Sequence, residues 1–210
     1  MPPSLHFGLA VTTTPRQKKT LTDALSSQLD ALNQSHEALL EANLLLAEDG
    51  KTLTAVINDS SKAFDLSVAL QEAAWPTNIR FALISAPPAG AAGKENTVRE
   101  KATKTLLRVS PRCAFHFDLP TKSQSEIGMA AALVQLHGSL TAEWTEARAN
   151  AVRSYRAHGK QAEVADDLGV SQQAVSQMLR GARYKELENA EGAMREWLSA
   201  PKRTTLWPPR

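Results

Sequence analysis

The sequence has a single cysteine, Cys113, among its 210 residues. No internal disulfide framework can be built from one thiol, and no multi-cysteine metal site either. A lone cysteine suits a reducing compartment, where it serves as a small buried apolar residue, here expected within a strand. Apolar runs are also short. None approaches the roughly 18–20 residues that a membrane span requires. The opening stretch MPPSLHFGLAVTTTPRQKK has an apolar patch too brief for a signal-peptide core, with no Lys or Arg ahead of it. The expectation is a cytoplasmic protein with no membrane partner. There is no internal repeat and no low-complexity tract.

Net charge is small overall, at +2, but unevenly placed. Residues 145–210 hold 11 Lys and Arg against 8 Asp and Glu, while the rest hold 13 against 14. The basic excess therefore lies wholly in the C-terminal part, as a nucleic-acid module would have it.

Catalytic signatures are thin. Asp49 and Asp59 stand at the two ends of one candidate strand, where Asp usually serves turn geometry. The loop AGAAGKEN (89–96) has glycines and a lysine but does not satisfy GxxxxGK[ST]. His6 and His116 fall on candidate strands, His36, His137 and His158 lack metal-like spacing, and no nucleophile–base pair suggests itself. No catalytic residue, metal or cofactor is expected, and the chain reads as a non-enzyme.

The apolar pattern predicts a strand at 6–11, a helix over 17–43 with a weak point at 33–36, and strands at 44–47 and 52–58 around Asp49-Gly50, a strong hairpin signal. A helix over 61–74 ended by Pro76, a strand at 79–85, a helix over 95–108, a strand at 112–118 and a helix over 122–140 complete the first part. This order contains a β-α-β-β-α-β unit, which points to an α+β fold: a ferredoxin-like sheet domain over 1–140, then an all-α domain over 141–200 and a basic, proline-rich tail at 201–210.

The all-α part carries the most specific pattern, QAEVADDLGVSQQAVSQMLR at 161–180. Two helices crossing over a short turn need a small residue at the crossing, and Ala165 is there. They need a turn residue that tolerates positive φ, and Gly169 is there. The second helix needs an N-cap, and Ser171 is there, with Ala174 where a reciprocal capping box would want Glu or Gln. Val164, Leu168, Val170, Val175 and Met178 or Leu179 supply inward apolar residues. The outward set is Gln172, Gln173, Ser176, Gln177 and Arg180, none acidic. Gln can pair N6 and N7 of adenine, and Ser can bond several base edges. Arg180, Arg183 and Lys185 follow without an acid between them, as phosphate anchors would.

This segment resembles the phage-repressor and sigma-region-four class of helix-turn-helix proteins. The preceding helix, Thr145–His158, resembles that class's supporting helix, with Arg148, Arg153 and Arg156, then Lys160. Together with the opening strand HFGLAV and the hairpin at Glu48-Asp49-Gly50, the stretch EWTEARANAVRSYRAHGKQAEVADDLGVSQQAVSQML resembles the bacterial SatD family. That resemblance implies a cyclase-like sheet domain with an acidic residue just after the first strand. Here that place reads Thr12-Thr13-Thr14-Pro15, so the metal-holding carboxylate is missing.

The sequence thus predicts a transcriptional regulator that reads the major groove of double-stranded DNA from Ser171 onward. A single such module reads few base pairs, so a homodimer on a two-fold site is expected. The alanine-rich apolar face of 122–140 is the expected dimer contact. The competing reading is a nucleotide-binding or degenerate cyclase-like enzyme tethered to DNA by the same module.

Overall fold

The computed structural model describes residues 6–15, 19–86 and 94–200. Its fold is α+β. Strand β1 (His6–Thr13) leads through α1 (Leu21–Leu25) and α2 (Leu29–Ser35) to the hairpin β2 (Leu40–Leu46) and β3 (Thr52–Ile57). Helix α3 (Ala63–Ala74), strand β4 (Ile79–Ala86), helix α4 (Lys94–Arg108), strand β5 (Phe115–Asp118) and helix α5 (Gln124–Ala142) follow. The five strands form one sheet in the order β2-β3-β1-β4-β5. All neighbours are antiparallel except β4 and β5, which run parallel. In the first four strands β3 lies between β1 and β2, and β1 lies between β3 and β4. Both β-α-β units are thus split, as the expected ferredoxin-like arrangement requires.

Period-two alternation assigns each face. Leu9 and Val11 of β1, Leu53, Ala55 and Ile57 of β3, and Phe81 and Leu83 of β4 point to one side, where α1, α3 and α5 cover them. Ala10, Val56, Ala82 and Ile84 point to the other, where α4 packs through Val98, Ala102 and Leu106 at i, i+4 and i+8. Gly8 makes that approach possible: a Cβ there would lie 2.8 Å from Val98 Cγ1. Helices α3 and α4 therefore lie on opposite faces, although their crossovers step the same way along the sheet.

The hairpin is as predicted. Gly50 takes φ 64°, Gly50 N donates to Ala47 O, and Ala47 N donates to Thr52 O at 2.8 Å. The helix expected over 17–43 is shorter. It ends at Ser35, and Leu39 and Leu40, which fit the helical spacing, instead lead into β2, where Leu40 pairs with Ile57. Tertiary pairing overrides a local pattern that fits both readings. Strand β2 also shifts register between Leu40 and Leu45. The freed backbone there is satisfied by side chains: Leu44 N donates to Asn33 Oδ1 at 2.7 Å, and Arg99 donates to Asn43 O. The last strand starts at Phe115 rather than 112. Cys113 lies in the preceding turn, half-buried, with Sγ donating to Phe115 O.

After α5 the described residues form four helices: α6 (Glu146–His158), α7 (Gln161–Leu168), α8 (Gln172–Gly181) and α9 (Tyr184–Ser199). Trp144, Ala149, Val152, Val164, Val175, Leu179 and Leu187 form their core. Trp144 Nε1 donates to Ala182 O at 3.0 Å, tying the entry of α6 to the exit of α8. The separation from the sheet is incomplete, because Met194 and Leu198 of α9 belong to the sheet-domain core. The tail at 201–210 and most of the loop at 89–96 lie outside the described residues.

Candidate nucleic-acid interface

Three local devices shape the turns that join α6, α7 and α8. Helix α6 ends at Gly159, whose φ of 76° lets its N–H reach Tyr155 O at 2.8 Å. Helix α7 ends at Gly169, φ 63°. There Gly169 N donates to Asp166 O and Val170 N donates to Ala165 O, the paired bonds of a Schellman motif. Two residues on, Ser171 is extended, with φ −75° and ψ 150°, and its Oγ accepts from Ala174 N at 3.1 Å. With no acid at Ala174 the cap is one-sided, as the sequence implied.

Burial then divides α8. Val175 and Leu179 are buried, and Ala165 of α7 is 7% exposed beneath them. Gln172, Gln173, Gln177 and Arg180 are exposed and Ser176 is half-buried. Val170 departs from expectation. Its side chain is 40% exposed, because it follows the glycine turn and contributes its N–H rather than its side chain to the hairpin.

The basic residues separate into two groups. Arg180 and Lys185 are exposed and make no ion pair among the described residues, and Arg183 meets Glu186 at 3.7 Å with both side chains well exposed. Exposed pairs of this kind are worth little and yield readily to another anion. Arg183 itself occupies the left-handed region at φ 58°, between α8 and α9. Arg148 joins this end of α8, since a Cβ on Gly181 would lie 2.8 Å from Arg148 Nε. The sequence placed Arg148 on the supporting helix but gave no sign that it folds back over Gly181, 33 positions on.

The other α6 cations face inward. Arg153 Nη1 donates to Glu72 O at 3.3 Å. Arg156 donates to Glu72 Oε1 through Nε at 2.8 Å and to both oxygens of Glu191 at 3.0 and 2.6 Å. His137 Nε2 completes the cluster, 3.0 Å from Glu191 Oε1. Lys160 pairs with Glu163 at 2.8 Å. So α3, α5, α6 and α9 meet in one ionic knot. Burial pushes the Glu191 carboxyl up, but the hydrogen bonds from His137 and Arg156 outweigh it and hold the group at about 2. Glu72 has a single bond to Arg156, and burial, with Glu191 nearby, raises it to about 7. Burial works against the Arg156 charge, yet its two carboxylate partners hold its pKa above the ordinary arginine value.

Asp49, Asp59, His36 and His6 each engage partners close by in the fold. Asp49 Oδ1 accepts from Lys51 N, and Asp59 Oδ1 accepts from Ser61 N and Oγ. His36 Nδ1 lies 3.0 Å from Leu32 O, and His6 meets Glu41. At the end of β1, Thr14, Pro15, Pro111 and Arg112 line a hollow of about 570 Å³, with no carboxylate among these residues. No group of three or more His, Cys, Asp or Glu side chains is placed to hold a metal ion among the described residues. No helix there is long and apolar enough to cross a membrane.

No protein-family model matches the chain, and no curated protein sequence matches it. Among solved structures, the regulator of polyketide synthase expression from Bifidobacterium adolescentis is similar over 95% of this chain and 83% of its own, at 12% identity. Its TM-score is 0.27, too low to bear on fold or function.

Proposed function

We propose that this chain is a sequence-specific DNA-binding protein that regulates transcription, with α8 as the reading helix. Gln172, Gln173, Ser176 and Gln177 read base edges in the major groove, with Ser171 capping the helix at the groove floor. Arg180, Arg183 and Lys185, joined by Arg148, hold the phosphate backbone. Two copies act together, each supplying one reading helix to a two-fold site. The sheet domain performs no catalysis in this reading.

The observation that carries it is the outer face of α8. It is polar and free of acid, and it leads into exposed Arg180 and Lys185, which make no ion pair among the described residues, and into Arg183, whose contact with Glu186 is itself exposed. A face of that kind suits nucleic acid better than mere solvation, because a solvated helix face usually mixes both signs of charge.

Selection from a random duplex pool tests the reading, followed by Gln172→Ala on the selected site. The substitution should cost about 1–3 kcal/mol on that site and little on random duplex. A pool that yields no enriched sequence, or equal losses on both kinds of DNA, refutes base reading by this helix.

A further inference from the structure

Helix α5 covers the sheet with one side and leaves the other bare. Ala130, Val134 and His137 are buried. On the opposite side Ser125, Gly128, Met129, Ala132, Gln135, Leu136 and Ser139 are exposed, with Met129 at 68% and Leu136 at 64%. Large apolar side chains on a surface helix usually stand among charges. Here no Lys, Arg, Asp or Glu occurs from Ile127 to Ala142. The other exposed leucines among the described residues differ: Leu45 and Leu107 border a groove that also includes Asp49, Lys51, Glu100 and Lys104.

An uncharged helix face suits a copy of itself. In a two-fold contact every residue meets the same patch on the partner, so any charge on the patch would risk facing its own like. This face brings none. Its sizes also complement under that symmetry. An antiparallel pairing centred on Ala132 sets Gly128 opposite Leu136, Met129 opposite Gln135, and Ser125 opposite Ser139. The large Leu136 then meets the smallest residue of the face, and nothing lies within 4 Å of where a Cβ on Gly128 would stand.

We infer that α5 is the homodimer interface, packed antiparallel on its counterpart about a two-fold axis at Ala132. This rests on the regulator reading only in the need for two copies. Small residues at the crossing let the helices approach to about 9 Å between axes, within the range of ordinary helix packing. With Cα atoms about 2.3 Å from each axis, the two Ala132 positions come within disulfide reach. Helix α5 leads directly into α6, so the antiparallel pairing sets the two reading modules at opposite ends of the contact.

The test is cross-linking of the full chain in a Cys113→Ser background, without DNA. Ala132→Cys should give a covalent dimer on mild oxidation. Ser125→Cys and Ser139→Cys should each stay monomeric on denaturing gels, and an equal mixture of the two should cross-link. Leu136→Glu, at an exposed position, should keep the wild-type melting behaviour and sediment as a monomer. It should also lose affinity for a two-fold site on the order of 100-fold, while a single half-site is bound as before. A monomeric wild type, a dimeric Leu136→Glu, or an Ala132→Cys chain that resists cross-linking overturns the interface. If Ala132→Cys cross-links but no duplex is bound by the wild type, the interface stands and the regulator reading falls.

Discussion

Glu72 offers a measurement that separates burial from charge pairing. Its side chain is 8% exposed and receives one hydrogen bond from Arg156, at 2.8 Å, where Glu191 receives two from Arg156 and one from His137. Burial raises Glu72 from 4.5 to about 7. A carboxyl whose folded pKa exceeds its unfolded one favours folding when protonated. That contribution is fully present below about 4.5 and is lost as pH rises through about 7. At about 1.36 kcal/mol per pH unit, the loss by pH 8 is on the order of 3 kcal/mol. Glu191, held near 2, gives the opposite dependence, with stability present above 4.5 and lost only as pH falls through about 2, well below the window that matters here. Glu72→Gln mimics the protonated acid at every pH. Its stability relative to wild type should therefore rise between pH 5 and 8, by on the order of 1–3 kcal/mol. Urea unfolding of both proteins at pH 5, 6, 7 and 8 and constant ionic strength reads this as a difference, in which the titrations of other groups cancel. A difference that does not change with pH, or that turns in favour of wild type as pH rises, refutes the assignment.

Four further substitutions address the helical module. Gly169→Val should lower stability by about 1–3 kcal/mol from backbone strain alone, since the site has φ 63° and open space around a Cβ. Gly169→Asn should cost clearly less in the same thermal melts, because Asn tolerates the left-handed region, and equal losses would place the cost elsewhere. Arg180→Ala and Lys185→Ala should each weaken binding to all duplexes and reduce the slope of log affinity against log salt by about one unit. An unchanged slope in both removes this end of α8 from the phosphate contact.

What could be read from the sequence is what short-range chemistry dictates. Gly169 and Ser171 mark the turn and cap of α8 because positive φ and an N-cap oxygen each admit few residue types, and Asp49-Gly50 marks the hairpin for the same reason. The end of α2 escaped, since Leu39 and Leu40 satisfy a helical spacing as well as they satisfy pairing with β3. The ionic knot escaped almost entirely. Arg156 and Glu72 are 84 positions apart, and nothing in either neighbourhood selects the other. One signal was present: Glu191 falls on the stripe Leu187, Glu191, Met194, Leu198, where an acid among apolar residues demands a buried partner. The cations of α6 looked like one basic face, but the side of a helix that a long side chain serves depends on what packs there, so Arg148 and Arg156 part company only in three dimensions.

Helix α9 has a mechanical consequence. It begins in the core of the helical module at Leu187 and ends in the core of the sheet at Met194 and Leu198. Arg195 grips Asp65, Lys122 donates to Ala200 O, and Ser60 Oγ donates to Leu198 O. A reader on a slack tether accepts half-sites at many spacings, whereas one bolted at both ends of a helix behaves as a gauge. For a two-fold assembly built this way, the spacing of the half-sites becomes a property of the protein. Inserting five base pairs between them turns one half-site to the far side of the duplex, about half a helical turn, and a rigid pair cannot follow it there.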